Sequence, residues 1–129
     1  MKTYTYDYDA HYQPAMPIAE IGVRNSENGS SEVILTALVD SGSDATLIPK
    51  DILRTLKATY QDRLNMRGVA GGVQIVDIYN VAIRIGSHII PKVHVVSGDS
   101  DAEPLIGRDV LNQLVVTLNG LAQVTEIAE

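Results

Sequence analysis

Short apolar segments separated by turn signals run along this chain, and they restrict it to a fold built from many short strands. Tyr4, Tyr6 and Tyr8 alternate with Thr and Asp, a period of two that predicts a strand or an extended arm. Asn28-Gly29 predicts a hairpin turn between two strands. The other predicted strands cover 18–23, 32–39, 73–85, 88–96, 114–118 and 121–127.

Two short helices complete the predicted elements. Pro49 stands at a first-turn position, and Ile52, Leu53 and Leu56 follow it at helical spacing. Residues 108–114 carry a second apolar stripe. Many short strands with two short helices favour a small closed or folded β structure over an alternation of strands and helices.

The composition sets the nature of the core and excludes several kinds of site. With 129 residues, 45% of them apolar, the chain is long enough to bury the core of one domain. That core is aliphatic, because Phe and Trp are absent. The absence of Cys excludes disulfides, zinc–thiolate sites and thiol nucleophiles. A net charge of −6 argues against a nucleic-acid or an anionic-membrane partner.

Neither a targeting segment nor a cofactor site is apparent in the sequence. No apolar run follows Lys2, and no apolar stretch approaches the ~20 residues that span a bilayer, so we expect a soluble, cytoplasmic protein. His11, His88 and His94 lack the spacing of zinc ligands. The sequence therefore predicts no metal and no cofactor.

Residues 35–49 carry the strongest chemical signal. Apolar residues run directly into Asp40, then Ser41-Gly42, then a second apolar patch. A carboxylate between two buried segments is costly unless it is paired, hydrogen-bonded or functional. Taken alone, Asp-Ser-Gly is more typical of a strand that ends in an Asx or Ser turn than of a catalytic site.

Two later segments favour a functional interpretation of this motif over a simple turn. Residues 105–111 read Leu-Ile-Gly-Arg-Asp-Val-Leu, an apolar strand end followed by Gly and by a helix that opens on a charged pair. Residues 67–73 form a Gly-rich tip between strand-like sequences, which fits a mobile hairpin.

These three segments, in this order and at these spacings, resemble the retropepsins, the retroviral-type aspartic proteases. The resemblance covers about 17–119. It implies an all-β, acid-protease fold of the closed β-barrel type, with one or two short helices and one lobe per chain. It also divides the chain into an N-terminal extension or added strand (1–16), a protease domain (17–120) and a C-terminal extension, expected to be a strand (121–129).

The same resemblance implies an aspartic endopeptidase in which Asp40 is the catalytic carboxylate. Asp-Ser-Gly occurs once in the chain, so two copies must meet as a twofold homodimer and cleave peptide or protein substrates through one Asp each. Two alternatives stay open. One is a retropepsin-like module that dimerises or binds peptide with little or no cleavage. The other is an interaction module in which Asp40 is only a turn residue.

Further roles follow from the resemblance. Ser41 would donate across the dimer, and Gly42 would present its carbonyl to bound peptide. Asp44 would either meet substrate backbone or form a structural ion pair with Arg108. Ser43 stands where retroviral members usually have Ala, and its hydroxyl is expected to donate to the catalytic carboxylates and favour an acidic optimum. The tip residues would close over substrate with their backbone N–H groups: Val69, Ala70, Gly71 and Gly72.

The chain ends bear on the dimer. In many retropepsins the N- and C-terminal strands of two subunits interleave, and Thr117-Leu118-Asn119 matches the C-terminal one. Here residues 120–129 follow it, and a Tyr-rich arm over 1–13 precedes the matched region. The arm is compatible with an added strand, a disordered tail or a segment over the active site.

Overall fold

The structure is a computed structural model that describes residues 2–27, 31–67 and 71–129. Within these residues it contains ten strands and two short helices. In chain order they are β1 (Thr3–Asp7), β2 (Ile18–Asn25), β3 (Glu32–Val39), β4 (Leu47–Pro49), α1 (Lys50–Thr55), β5 (Thr59–Arg67), β6 (Val73–Ile85), β7 (His88–Gly98), β8 (Leu105–Ile106), α2 (Arg108–Leu111), β9 (Val115–Asn119) and β10 (Val124–Ala128). The expected hairpin turn at Asn28-Gly29 lies outside the described residues, although β2 and β3 do pair antiparallel.

The larger sheet closes on itself. Its strand order is β2-β3-β8-β4-β7-β6-β5, and β2 also pairs with β6, so the pairings form a closed ring with β5 attached outside it. Two of the pairings, β3 with β8 and β4 with β7, are parallel. The expected all-β, closed-barrel-type fold with two short helices and one lobe per chain is confirmed.

The barrel interior is aliphatic, as the composition predicts. Ile21, Ile48, Ile83, Val95 and Ile106 are almost fully buried, each on a different strand. Burying one such side chain stabilises a fold by roughly 1.5–3 kcal/mol. The tight packing of five strands around one centre gives the loops at their ends a rigid base.

Strand β6 serves both the barrel and a projecting hairpin. Its second half is buried between β2 and β7. Residues 73–77 pair with β5 alone, and Val73 and Ile75 are 64% and 65% exposed. We call β5 and residues 73–77 of β6 the flap hairpin.

A second, three-stranded sheet joins the two ends of the chain in the order β1-β10-β9. The Tyr-rich arm contributes β1, which pairs with β10 along all five of its residues. Ile127 of β10 is buried in the main core. The terminal strands thus pair within one chain here, whereas the retropepsin pattern interleaves them between two subunits. The boundaries of the extensions, at 16/17 and 120/121, stay predictions.

Glu32 ties three strands of the barrel together. Its carboxylate accepts hydrogen bonds from Arg24 on β2 at 2.6 Å and from Arg84 on β6 at 2.7 Å. Gly22 leaves room for it, because a Cβ there would lie 2.5 Å from the Glu32 carboxyl carbon. The hydrogen bond from Arg84, together with that from Arg24, lowers the pKa of Glu32 from 4.5 to about 2.

We expect Glu32→Gln to lower the free energy of unfolding at pH 7 by about 2 kcal/mol. Since the pKa of Glu32 is lower in the folded state, its contribution is complete above pH 4.5 and is lost as the pH falls to about 2. Urea denaturation of both proteins at about pH 7 and about pH 2.5 measures this. Asp51→Asn, which removes an exposed ion pair, is the control. An equal loss of unfolding free energy at both pH values would contradict the lowered pKa of Glu32.

Candidate active site

Asp40 follows β3 at the point where that strand runs beside β8. Its backbone N–H donates to the carbonyl of Ile106 at 3.0 Å, which continues the parallel ladder. Its Oδ1 accepts the N–H of Gly42 at 2.9 Å, and its carbonyl accepts the N–H of Ser43 at 3.2 Å. The sequence therefore does form an Asx turn here, and the turn holds the half-buried carboxylate in one orientation.

The second motif segment holds this loop from the other side. The backbone N–H of Arg108 donates to the Ser43 carbonyl at 2.8 Å, and its Nη1 donates to the Ser41 carbonyl at 2.6 Å. Its Nη2 forms an ion pair with Asp44. The Asp44 side chain is nevertheless 85% exposed, so it stays accessible to a ligand.

The support of the Asp40 loop is completed by Thr46, Gly107 and Asp109. The sequence assigned a role to none of these residues. Buried Thr46 donates to Asp109 through its hydroxyl at 2.8 Å and through its N–H at 3.1 Å. The Thr46 hydroxyl also accepts the N–H of Gly107 at 3.1 Å. Gly107 packs against the loop so closely that a Cβ would lie 2.6 Å from backbone atoms of Ala45. The sequence feature that could have indicated this support is Thr46, a polar residue inside an apolar run.

Ser43 differs from its expected role. Its hydroxyl donates to the carbonyl of Ala45 at 2.8 Å. A hydroxyl has a single proton, so this bond leaves none for Asp40. The expected donation to the catalytic carboxylate is therefore wrong in this chain, and the Ser43 side chain instead closes the loop on itself. The hydroxyl of Ser41 is exposed, and its donation to a second copy stays a prediction.

Asp40 opens onto a groove of about 250 Å³, the Asp40 groove, between its loop and the flap hairpin. Gly42, Ser43 and Asp44 line one side of it, and Met66 and Arg67 of β5 line the other. A second groove of about 430 Å³, the flap groove, shares Met66 and runs on past Leu47 and Ile75. The two grooves therefore adjoin at Met66.

The tip of the flap hairpin is described only in part. Val69 and Ala70 lie outside the described residues, and Gly71 and Gly72 are exposed just before β6 begins. Gly71 has a φ of +84°, which favours glycine at this position. In the part of the chain with described positions, no cluster of three His or acidic side chains is arranged to hold a metal. Nor is any described helix long and apolar enough to cross a membrane.

Comparison with known proteins adds a family and a set of folds. The family described as "gag-polyprotein putative aspartyl protease" matches residues 28–113, which include the Asp40 loop, the flap hairpin and α2. A search of curated proteins finds no match.

Solved structures share the fold at low sequence identity. A retropepsin-like aspartic protease from Rickettsia conorii has a TM-score of 0.66 and 12% identity, over 98% of this chain and 90% of that one. The EIAV protease in complex with the inhibitor HBY-793 has a TM-score of 0.57 and 20% sequence identity, over 76% of this chain and 86% of that one. The simian foamy virus (mac) protease has a TM-score of 0.53 and 16% sequence identity, over 74% of this chain and 91% of that one.

Proposed function

Since the chain belongs to the gag-polyprotein aspartyl protease family, we propose that it is an aspartic endopeptidase that cleaves extended polypeptide segments as a twofold homodimer. One observation carries the proposal. Asp40 lies in a rigid turn at the floor of an open groove, held by its own loop and by Arg108, and each chain supplies only one such carboxylate.

The single carboxylate is the reason for a dimer. Two Asp40 side chains that meet about a twofold axis repel each other when both are ionised, so the pair keeps one proton. The ionised carboxylate takes a proton from a water whose oxygen attacks the peptide carbonyl carbon. The protonated carboxyl donates to the carbonyl oxygen and stabilises the developing charge. Collapse of the tetrahedral adduct then breaks the C–N bond as a proton passes to the amide nitrogen.

The exposed edge of β9 supports the proposed contact with a second copy. Among the described residues β9 pairs with β10 alone, which leaves its other edge open. Val115 and Leu118 are 59% and 48% exposed, and the strand carries neither a charge nor a proline. Edge strands usually carry charged residues or prolines, which prevent pairing with another chain. This apolar, uncharged edge therefore suits contact with another copy of the chain.

The peptide would lie along the two grooves in an extended conformation. Gly42 offers its carbonyl and Asp44 its exposed carboxylate to substrate backbone, while Ser41 bonds across the dimer. We expect the tip residues 69–72 to close over the peptide and to donate N–H groups to it. Leu47, Met66 and Ile75 favour apolar substrate side chains. The proposed protease domain covers residues 17–120, and residues 1–16 and 121–129 extend it at either end.

Digestion of a peptide library tests the proposal. Protein at a concentration where the solution mass is that of a dimer is incubated between about pH 3 and pH 7, and cleavage sites are identified by mass spectrometry. We expect cleavage next to apolar residues. A dimer that binds peptides but cleaves none across this range would favour the binding module instead.

A further inference from the structure

Helix α1 and the turn that follows it carry a cluster of positive charge around a separate groove. This α1 groove has a volume of about 240 Å³ and is lined by apolar and aromatic side chains at its floor and by exposed cationic side chains at its rim. Its floor and rim include Leu53, Ala58, Tyr79, Lys50, Arg54 and Lys57. Leu53 is buried, whereas the three cationic side chains are exposed. The groove thus offers apolar contact below and positive charge above.

The positive charge is concentrated against the trend of the whole chain. The protein has a net charge of −6, yet three of its ten Lys and Arg residues lie within 50–57. Among the described residues, Lys50 and Lys57 have no ion-pair partner, and Arg54 meets only the exposed Asp51 at 3.2 Å. The one acid that lines the groove, Asp77, is already paired with Arg63 at 3.0 Å. A net positive potential remains for a ligand.

The α1 groove adjoins the other two grooves through shared lining residues, and we call the three grooves together the channel. It shares Lys50, Asp77 and Ser97 with the flap groove. The flap groove in turn shares Met66 with the Asp40 groove. An extended polypeptide that lies over Asp40 and follows the flap hairpin therefore arrives at the cationic rim of α1.

We propose that the α1 groove recognises acidic residues of the substrate at several positions from the bond that is cleaved. The proposal rests on the proposed function, and it names a substrate class: polypeptides with an apolar cleavage site flanked on one side by an acidic segment. The charges are exposed, so the attraction is moderate and weakens with salt. We expect an acidic flank to lower KM roughly tenfold at low ionic strength.

Two peptides with the same apolar core test this, one flanked by Glu and Asp and the other by Gln and Asn. The readout is the ratio of their kcat/KM values, measured at low and high salt. We expect wild type to favour the acidic peptide roughly tenfold, and Lys50→Glu/Lys57→Glu to remove or invert the preference. The control Lys2→Glu/Lys92→Glu changes the net charge equally at exposed sites away from the channel and should keep the preference.

A binding measurement separates this proposal from the proposed function. The labelled peptides are titrated into the Asp40→Asn protein, where no cleavage intervenes. Tighter binding of the acidic peptide, lost in the added Lys50→Glu/Lys57→Glu background, supports the α1 groove even if the wild type cleaves nothing. Equal binding of both peptides, or a preference that the control removes as well, would overturn it.

Discussion

Replacing Asp40 with Asn is expected to lower kcat for peptide cleavage by at least about 10³-fold while the protein stays folded. Asn has the same shape, and its carbonyl oxygen can still accept the hydrogen bond from the Gly42 N–H. The turn therefore survives, whereas the group that takes a proton from water is lost from both halves of the site.

The measurement is the cleavage rate of a defined peptide, with thermal denaturation and solution mass to show that fold and assembly are intact. Asp101→Asn, an exposed acid in the turn before β8, is the control and should leave the rate unchanged. Cleavage by Asp40→Asn at the wild-type rate would make Asp40 a turn residue and would leave the interaction-module alternative standing.

Gly107→Ala is expected to cost about 2–3 kcal/mol of folding free energy and to lower activity further than that loss explains. A Cβ at Gly107 would lie 2.6 Å from the carbonyl carbon and oxygen of Ala45 and 2.9 Å from the Ser43 carbonyl oxygen. Backbone atoms cannot turn aside as a flexible side chain can, so α2 and the Asp40 loop must move apart. The bond from the Arg108 N–H to Ser43 lies at this contact.

Gly120→Ala is the matched control, because a Cβ at Gly120 meets nothing within 4 Å. Thermal denaturation should show a melting temperature lower by on the order of 10 °C for Gly107→Ala and little change for Gly120→Ala. The cleavage rate should be measured at a temperature where both variants are fully folded. A Gly107→Ala protein with wild-type stability and rate would contradict the role given to this contact.

The strands with a clear apolar period were predictable from sequence. The predictions for 32–39 and 73–85 agree with β3 and β6, and Pro49 correctly preceded the helix α1. Strand β5 was missed as a separate element because its residues are polar and almost all exposed, so it carries no period of two. Its pairing with β6, which no local pattern encodes, makes it a strand.

For the site, the sequence predicted the positions but not how they are held. The order of Asp-Ser-Gly, the Gly-rich tip and Gly-Arg-Asp sufficed to choose Asp40 and to pair Arg108 with Asp44 as one alternative. The Thr46–Asp109 hydrogen bonds join residues 63 positions apart, and the donation from Ser43 depends on the local path of the backbone. Such contacts follow from tertiary structure. The same holds for the α1 groove, whose rim looks from sequence like an ordinary exposed helix face.

The central claim is that two copies of the chain build one active site, each supplying Asp40. Mixing inactive Asp40→Asn protein into the wild type tests it most directly, with both proteins at concentrations where dimers form and exchange. If pairing is random, an equal amount of the variant halves the wild-type rate and a tenfold excess lowers it to roughly a tenth, because mixed dimers lack one carboxylate. A wild-type rate that does not change with added Asp40→Asn protein would contradict the claim.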